Sequence, residues 1–537
     1  MVKIRIRFLS LILAVSLLLS GCVTDFLTSW DEAYGYYEPT AFKDMEYSRP
    51  DLLELQNILN NAHSALQTAA SLQEVLNAIY AFNAFYDSFF TNFSLANIYY
   101  CMDLTDTYWQ EEYNFCAESE ATVYAALDEL YTALAKSSFR KELEQEQYFG
   151  ADYFVPYESE SLWDDIFLDL WEQEAQLINQ YYALSDEALT YEMYSEEYYD
   201  QFTVPMVELL AQLVKVRQKI ADYAGYPSYT QYAYINSFAR DYTPEQVDQY
   251  LLEISQVFSQ LYTQTRLSDN WQELQDYCSP DDTLRYVSQA AKSMGGTVQE
   301  AFEVLSDNDL YDISYNENKY ASSFELYLWD YTSPFVFVCP SLNIFDKLIF
   351  AHEFGHFAAD YVCYGTYADT DISEIHSQAF EYLSLCYTQD AEALTQLKML
   401  DSLCIYVECS VYTQFEHQLY QMSPEELTVE NILDLYFQTG EQFGFGTDWD
   451  PRELITITHF YTNPLYNISY VLSNDLALQF YQKEQQSPGS GLKLYEQCLE
   501  DQGSYLLYFA ESYHLESPFA EGRLETIADT FRDVLIS

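Results

Sequence analysis

Basic residues are what this 537-residue sequence most lacks: 23 Lys and Arg stand against 85 Asp and Glu, a formal charge of −62 at pH 7. That balance argues against nucleic acid, whose phosphates would be repelled, and against a polybasic grip on anionic lipid. The surplus acid serves solubility, and its field favours cationic peptides. Glycine (15) and proline (14) are also scarce, and polar–apolar patterning is helical almost throughout, so the class is mainly α. No C-x-x-C pair occurs, and the nine cysteines after Cys22 are too odd a number to be bridged completely. Most fall in apolar helical patterns, where buried free thiols are the default; an exported protein of this kind suits an anoxic habitat. Apolar runs of membrane-spanning length are missing after Leu19. Tyrosine, by contrast, is abundant (53), and most copies read as amphipathic helix-surface or groove residues rather than catalysts.

The first residues read as an address. Lys3, Arg5 and Arg7 precede an apolar run from Phe8 to Leu19, too short to span a membrane but right for a signal peptide. The run ends Leu19-Ser20-Gly21-Cys22, which resembles a bacterial lipoprotein signal, with cleavage before Cys22 and lipid on its thiol. The expectation is an exported domain, lipid-anchored to the outer face of a bacterial membrane. About 515 mature residues exceed what one compact core supports, so two lobes are expected. The division reads as signal peptide 1–21, tether 22–45, N-terminal helical lobe 46–300 and catalytic lobe 301–537.

Helical patterning begins near Asp51 and continues around 72–90, 119–136, 161–183 and 185–200, with no fixed-period repeat. A further helix over Val207–Ala224 ends at Gly225, which suits a left-handed stop. Thr243 and Pro244 read as N-cap and first position of the next. Between about 320 and 340 the period changes: Ser323–Leu328 and Pro334–Cys339 are β-rich and predict paired strands, whose open edge would suit an extended peptide.

Directly after them comes Phe350-Ala351-His352-Glu353-Phe354-Gly355-His356-Phe357, an H-E-x-x-H motif. With only 7 His in the chain, composition alone gives such a motif about one time in a hundred. No proline intervenes from Ser341 to Val362, so the stretch reads as a helix. There His352 and His356, at i and i+4, leave one face and can reach one tetrahedral metal ion. Glu353, beside the first ligand, can take a proton from water. Gly355 lets another segment or a substrate come close.

Two histidines and a water leave one protein ligand to find. Downstream, Asp371-Ile372-Ser373-Glu374-Ile375-His376-Ser377-Gln378-Ala379-Phe380-Glu381 opens another helix. Glu374, Gln378 and Glu381 form a polar stripe on its apolar surface. Glu374 is the expected third ligand, supported by Glu381; His376 is the alternative. The competing assignment for Glu374 is a capping box with Asp371 as N-cap.

At these residues the chain resembles the thimet oligopeptidase and oligoendopeptidase F family of zinc metallopeptidases. There, H-E-x-G-H is followed by a ligand Glu in a context like E-x-x-S-Q-x-x-E, here Glu374 to Glu381. The stretch Leu213 to Tyr234, with Arg217, Gly225 and Tyr226, is similar to a second family segment. His459-Phe460-Tyr461-Thr462-Asn463-Pro464-Leu465-Tyr466-Asn467-Ile468-Ser469-Tyr470 is similar to a third. The resemblance covers about 200–480. It departs where the family has a glycine-containing turn near its tyrosines; Asn463-Pro464-Leu465 and Ser469 stand there instead.

The resemblance implies a helix-rich, two-lobed gluzincin-type fold with a small β element beside the motif helix and a deep channel for short peptides. It also implies zinc as cofactor, and oxyanion stabilisation by His459 and Tyr470, with Tyr466 as a further candidate. The expected function is hydrolysis of internal bonds in oligopeptides at the cell surface by a monomer with no nucleic-acid partner. Two alternatives are a dipeptidyl carboxypeptidase-like exopeptidase and a non-catalytic peptide-binding lipoprotein. An intact His352, Glu353, His356 and Glu374 set counts against the latter, since a binding protein does not require the base.

Overall fold

The computed structural model describes residues 39–536 other than 69–70, 146–147, 159–162, 189–190, 193, 267–275, 366–368, 390, 447–448 and 502–504. The expected signal peptide, Cys22 and most of the expected tether lie outside the described residues. The end of that tether is already part of the fold: Phe42 packs on Tyr99 and Phe335, its N–H donates to the Asn308 carbonyl, and Met45 is buried.

Helices make up nearly all of the rest. α1 (Leu52–Thr68), α2 (Leu72–Met102) and α3 (Thr107–Ala135) pack around Leu55, Leu59, Phe82, Phe89, Leu130 and Tyr131. The Asp106 carboxylate caps α3 by accepting from the N–H groups of Tyr108 and Trp109. α4 (Asp165–Ala188) and α5 (Glu196–Tyr223) lie side by side. The segment expected at 185–200 is therefore no element of its own. Its first residues complete α4 and its last open α5, because the Ser195 hydroxyl caps a new helix that runs on through Pro205. Gly225 follows α5 with φ +81°. Thr243 forms a capping box with Gln246 at the start of α6 (Pro244–Val257). α7 (Pro280–Met294) and α8 (Gly296–Asp307) then lead into the sheet.

The β-rich stretch folds as its composition predicts. β1 (Tyr311–Asp312), β2 (Phe324–Leu328) and β3 (Ser333–Phe337) form a three-stranded sheet in the order β1-β3-β2. β2 and β3 are antiparallel, with Phe324 opposite Phe337 and Leu328 opposite Ser333, while β1 runs parallel to β3. All of β3 is buried, because the sheet lies against α9 (Asp346–Cys363), the motif helix.

The helices that follow are α10 (Thr370–Ser384), α11 (Ala391–Cys404), α12 (Ser410–Leu419), α13 (Val429–Gln442), α14 (Asn467–Gln486) and α15 (Arg523–Leu535). α10 is enclosed by α9 and α14, and from Asp371 to Ser384 only Ser373 escapes burial. One apolar core runs from Leu209 and Leu213 through Val336, Phe350, Phe354 and Phe380 to Leu472, and so takes residues from both sides of position 300. Full burial of each such side chain contributes about 1.5–3 kcal/mol, and this core is what holds α9, α10 and α14 in register. No described helix is long and apolar enough to cross a membrane.

Candidate metal centre

The site is built where α9 and α10 touch. α9 starts sharply: the buried Asp346 carboxylate accepts from the backbone N–H groups of Ser341 (2.9 Å) and Leu342 (2.8 Å). The helix ends at Tyr364 and Gly365, both left-handed. One turn apart on α9, His352 and His356 turn their Nε2 atoms toward each other at 3.2 Å. From α10 the Glu374 carboxylate comes within 3.3 Å of His352 Nε2 and 3.9 Å of His356 Nε2. The contact is possible because residue 355 is glycine. A Cβ there would stand 2.5 Å from Ser377 Cα and 2.9 Å from the His376 carbonyl.

These three residues fit a metal ion by chemistry and by spacing. Their ligand atoms lie within 4.8 Å of one another. Ligands about 2.0–2.1 Å from a tetrahedral ion are separated by roughly 3.3–3.4 Å, close to the spacings found. The other ring nitrogens are held from behind: His352 Nδ1 meets Glu381 Oε1 at 2.8 Å, and His356 Nδ1 meets Ser373 Oγ at 2.9 Å. Such outer partners orient ligand imidazoles. Glu381 is held in turn by the buried Lys398 ammonium, which donates to Oε2 at 2.7 Å and to Asp401 at 3.1 Å. Glu374 accepts from Ser377 Oγ (3.2 Å) and from the Tyr466 hydroxyl (2.5 Å).

Electrostatics suit metal capture. Burial lowers His356 to about 4, leaving a neutral ligand nitrogen. Glu374 is drawn down to about 2: burial opposes ionisation, but His352 and His356 outweigh it. His352 behaves oppositely, raised despite burial because Glu374 and Glu381 face it. Glu353 is pushed up to about 8 by burial, with Glu374 and Glu381 adding to the rise. A carboxyl poised near neutrality is what a proton-transferring group requires.

His459, Tyr466 and Tyr470 gather on the far side. The ring centroids of His459, Tyr466 and Tyr470 lie 5.1–5.6 Å from one another in tilted and edge-on contacts, and that of Tyr470 lies 6.5 Å from the His352 ring. Tyr470 OH meets His459 Nε2 at 3.3 Å. Burial lowers His459 to about 4, so the imidazole is neutral. Burial, reinforced by Glu374 and Glu353, keeps the Tyr470 phenol protonated.

Two sequence assignments fall differently. His376 points away from Glu374, its Nε2 3.1 Å from the Cys498 carbonyl, and takes no part in the cluster. Asp371 is not the N-cap of α10; Asp369 is, and Asp371 instead accepts from the Tyr242 hydroxyl at 2.7 Å. Three contributors escape sequence reasoning. Ser373 carries no signal beyond its neighbours, and Ser377 only its place in the E-x-x-S-Q-x-x-E match. Lys398 carries a faint one, a lone cation between Leu397 and Met399.

The helix-rich architecture, with a small sheet against the motif helix, is a fold shared with solved peptidases. More particularly, residues 42–160 match the family model described as the Peptidase M3 N-terminal domain. Over 90–93% of its length the chain is similar in fold to solved structures of proteins named oligoendopeptidase or peptidase. A protein assigned as oligoendopeptidase F from Bacillus anthracis str. Ames is 21% identical, with TM-score 0.75 over 93% of this chain and 99% of that one. PZ peptidase A, solved with an inhibitor, is 19% identical, with TM-score 0.79 over 92% and 99%. Oligoendopeptidase-F from Enterococcus faecium is 15% identical, with TM-score 0.60 over 90% and 96%. No curated protein sequence matches the chain. The N-terminal match and the shared fold support the resemblance to the oligoendopeptidase F family, and the matched residues 42–160 lie before the 200–480 stretch that carried it in the sequence.

Proposed function

We propose that the protein is a zinc-dependent oligoendopeptidase held at the outer face of a bacterial membrane through lipid on Cys22. The observation that carries the reading is the convergence of His352, His356 and Glu374 with Glu353 beside them. These three residues would hold zinc; when bound, it polarises the scissile carbonyl and lowers the pKa of water.

The chain's own residues do the rest. Glu353 orients a water, takes its proton as the oxygen attacks the carbonyl carbon, and passes that proton to the amine as the C–N bond breaks. Glu381 and Ser373 fix the two imidazoles so that both Nε2 atoms face the site. Tyr470 and His459, in contact with each other beside the cluster, would donate a phenol O–H and an imidazole N–H to the oxygen that becomes negative. Tyr466 differs from the pair: its hydroxyl is engaged on Glu374, so its role is to hold the ligand carboxylate. Oligopeptides are the substrates, drawn from the name borne by the solved neighbours and from the channel the resemblance implies.

The test is turnover of an internally quenched peptide with and without chelator, followed by mass analysis of the products. Chelator-sensitive cleavage at internal bonds is expected, and Glu353→Gln should keep zinc while turnover falls by about 10²–10⁴-fold. Loss of terminal dipeptides only would replace the assignment with exopeptidase action. Undiminished turnover in Glu353→Gln would end the mechanism.

A further inference from the structure

The segment that brings His459, Tyr466 and Tyr470 to the site bends at Asn463-Pro464-Leu465, and the bend is left-handed at a residue with a side chain. Leu465 has φ +67° and is 1% exposed. A β-carbon disfavours that conformation, which persists only where the surroundings impose it. Here two buried charged residues from distant parts of the chain do so, one on each side of the residue. The Leu465 N–H donates to Glu416 Oε1 on α12 at 2.8 Å. The Leu465 carbonyl accepts from Arg240 NH2, in the loop before α6, at 2.9 Å.

Both groups then reach into the first turn of α14. Arg240 NH2 also donates to Ser469 Oγ at 3.0 Å, and Glu416 Oε2 lies 3.5 Å from Asn467 Nδ2. The Arg240 guanidinium is gripped by aromatic faces, 4.2 Å from the Phe238 ring and 4.5 Å from that of Tyr234. Tyr234 is itself fixed through its hydroxyl to His417 Nε2 (2.9 Å), on the same helix as Glu416. The residue after Leu465 is Tyr466, whose hydroxyl holds Glu374. One turn further on is Tyr470, beside His459. The bend thus sets the direction in which both phenols leave the backbone.

We infer that Arg240 and Glu416 are positioning residues of the hydrolytic site, acting through Leu465: by bracketing its backbone in the left-handed conformation they seat Tyr466 on Glu374 and Tyr470 beside His459. The inference rests on the peptidase reading above. It assigns to two buried polar side chains, neither of which touches substrate, control over how well the transition state is held.

The test compares Arg240→Met, Glu416→Leu and Glu416→Gln with the parent, each scored per mole of zinc-loaded, folded protein. Three quantities are read: kcat, KM, and the inhibition constant of a phosphinic peptide that mimics the tetrahedral oxyanion. Displacing the phenols by an ångström costs about ten- to a hundredfold in rate. Arg240→Met and Glu416→Leu should therefore lose kcat by that factor, with KM changed less than threefold. The phosphinic peptide should weaken in parallel with kcat/KM, since both report on the transition state. Glu416→Gln, whose amide oxygen still accepts from the Leu465 N–H, should keep kcat within about threefold. Adding Leu465→Gly to Arg240→Met should restore part of the loss, because glycine takes the left-handed bend unaided. If Arg240→Met does not fold, Glu416→Leu and Ser469→Ala carry the same comparison. Zinc-loaded variants with kcat and inhibition constant within twofold of the parent would overturn the inference. So would a fall in kcat with the inhibition constant unchanged, which signals fewer active molecules and hence a merely structural role. A parent that cleaves no peptide would instead overturn the peptidase reading itself.

Discussion

Replacing Gly355 by alanine asks whether the closeness of α9 and α10 is what makes the ligand set. The added methyl would lie 2.5 Å from Ser377 Cα, 2.9 Å from the His376 carbonyl oxygen and 3.0 Å from that of Ser377. The first contact is about 1 Å inside the 3.5–4.0 Å optimum for carbon atoms. All three obstacles are backbone, so no side chain can swing aside and one helix must move by roughly that ångström. Metal–ligand distances tolerate only about 0.2 Å, and Glu374 sits on the helix that is displaced. Overpacking of this kind costs about 1–3 kcal/mol. If most of it falls on the loaded state, zinc binding weakens by about ten- to a hundredfold. The assay is zinc affinity by chelator competition, alongside thermal unfolding of the metal-free protein. Gly225→Ala is the control: its Cβ meets nothing within 4 Å, but φ is +81°, so it costs about 1–2 kcal/mol of backbone strain and should leave zinc affinity alone. Gly355→Ala protein that binds zinc as tightly as the parent would refute the reasoning.

Three other outcomes are expected. Glu374→Gln should weaken zinc retention, since a neutral amide is a poorer ligand than a carboxylate, while His376→Ala should retain zinc; the reverse order in a metal assay would move the third ligand to His376. Cys22→Ala should release the protein from the membrane fraction with peptidase activity intact, and continued membrane retention would demand another anchor. Burial, with Asp330 adding, raises Asp87 to about 7 from an unfolded value near 3.9. Its contribution to stability is therefore full below about pH 4 and lost as pH rises through 7, so the unfolding temperature of Asp87→Asn should gain on the parent between pH 5 and 8. Parallel curves would rule this out.

Legibility in the sequence followed the range of the interactions. The motif helix, the Glu374–Glu381 stripe, the Thr243 N-cap and the paired strands depend on neighbours within a few positions, and local sequence carries them. The α4–α5 break was less legible because Ser195 and Pro205 give opposed signals about where a helix begins. Lys398, Ser373, Arg240 and Glu416 were missed for another reason. Each acts across the fold, and its partner is set by how helices stack rather than by spacing along the chain. His376 and Glu374 sit two residues apart on one helix, and only the placement of α9 decides which faces the histidines.

The nine described cysteines are all free, and this bears on the export proposed for the chain. Burial raises the thiols of Cys101, Cys116, Cys363, Cys409 and Cys498 well above their ordinary value. Thiolate, the species that attacks disulfides, is accordingly rare among them at neutral pH. Among the described residues no disulfide joins one part of the fold to another, so packing and hydrogen bonds hold it without a covalent cross-link. On the route of export proposed above, this part of the chain would fold without cross-linking its cysteines.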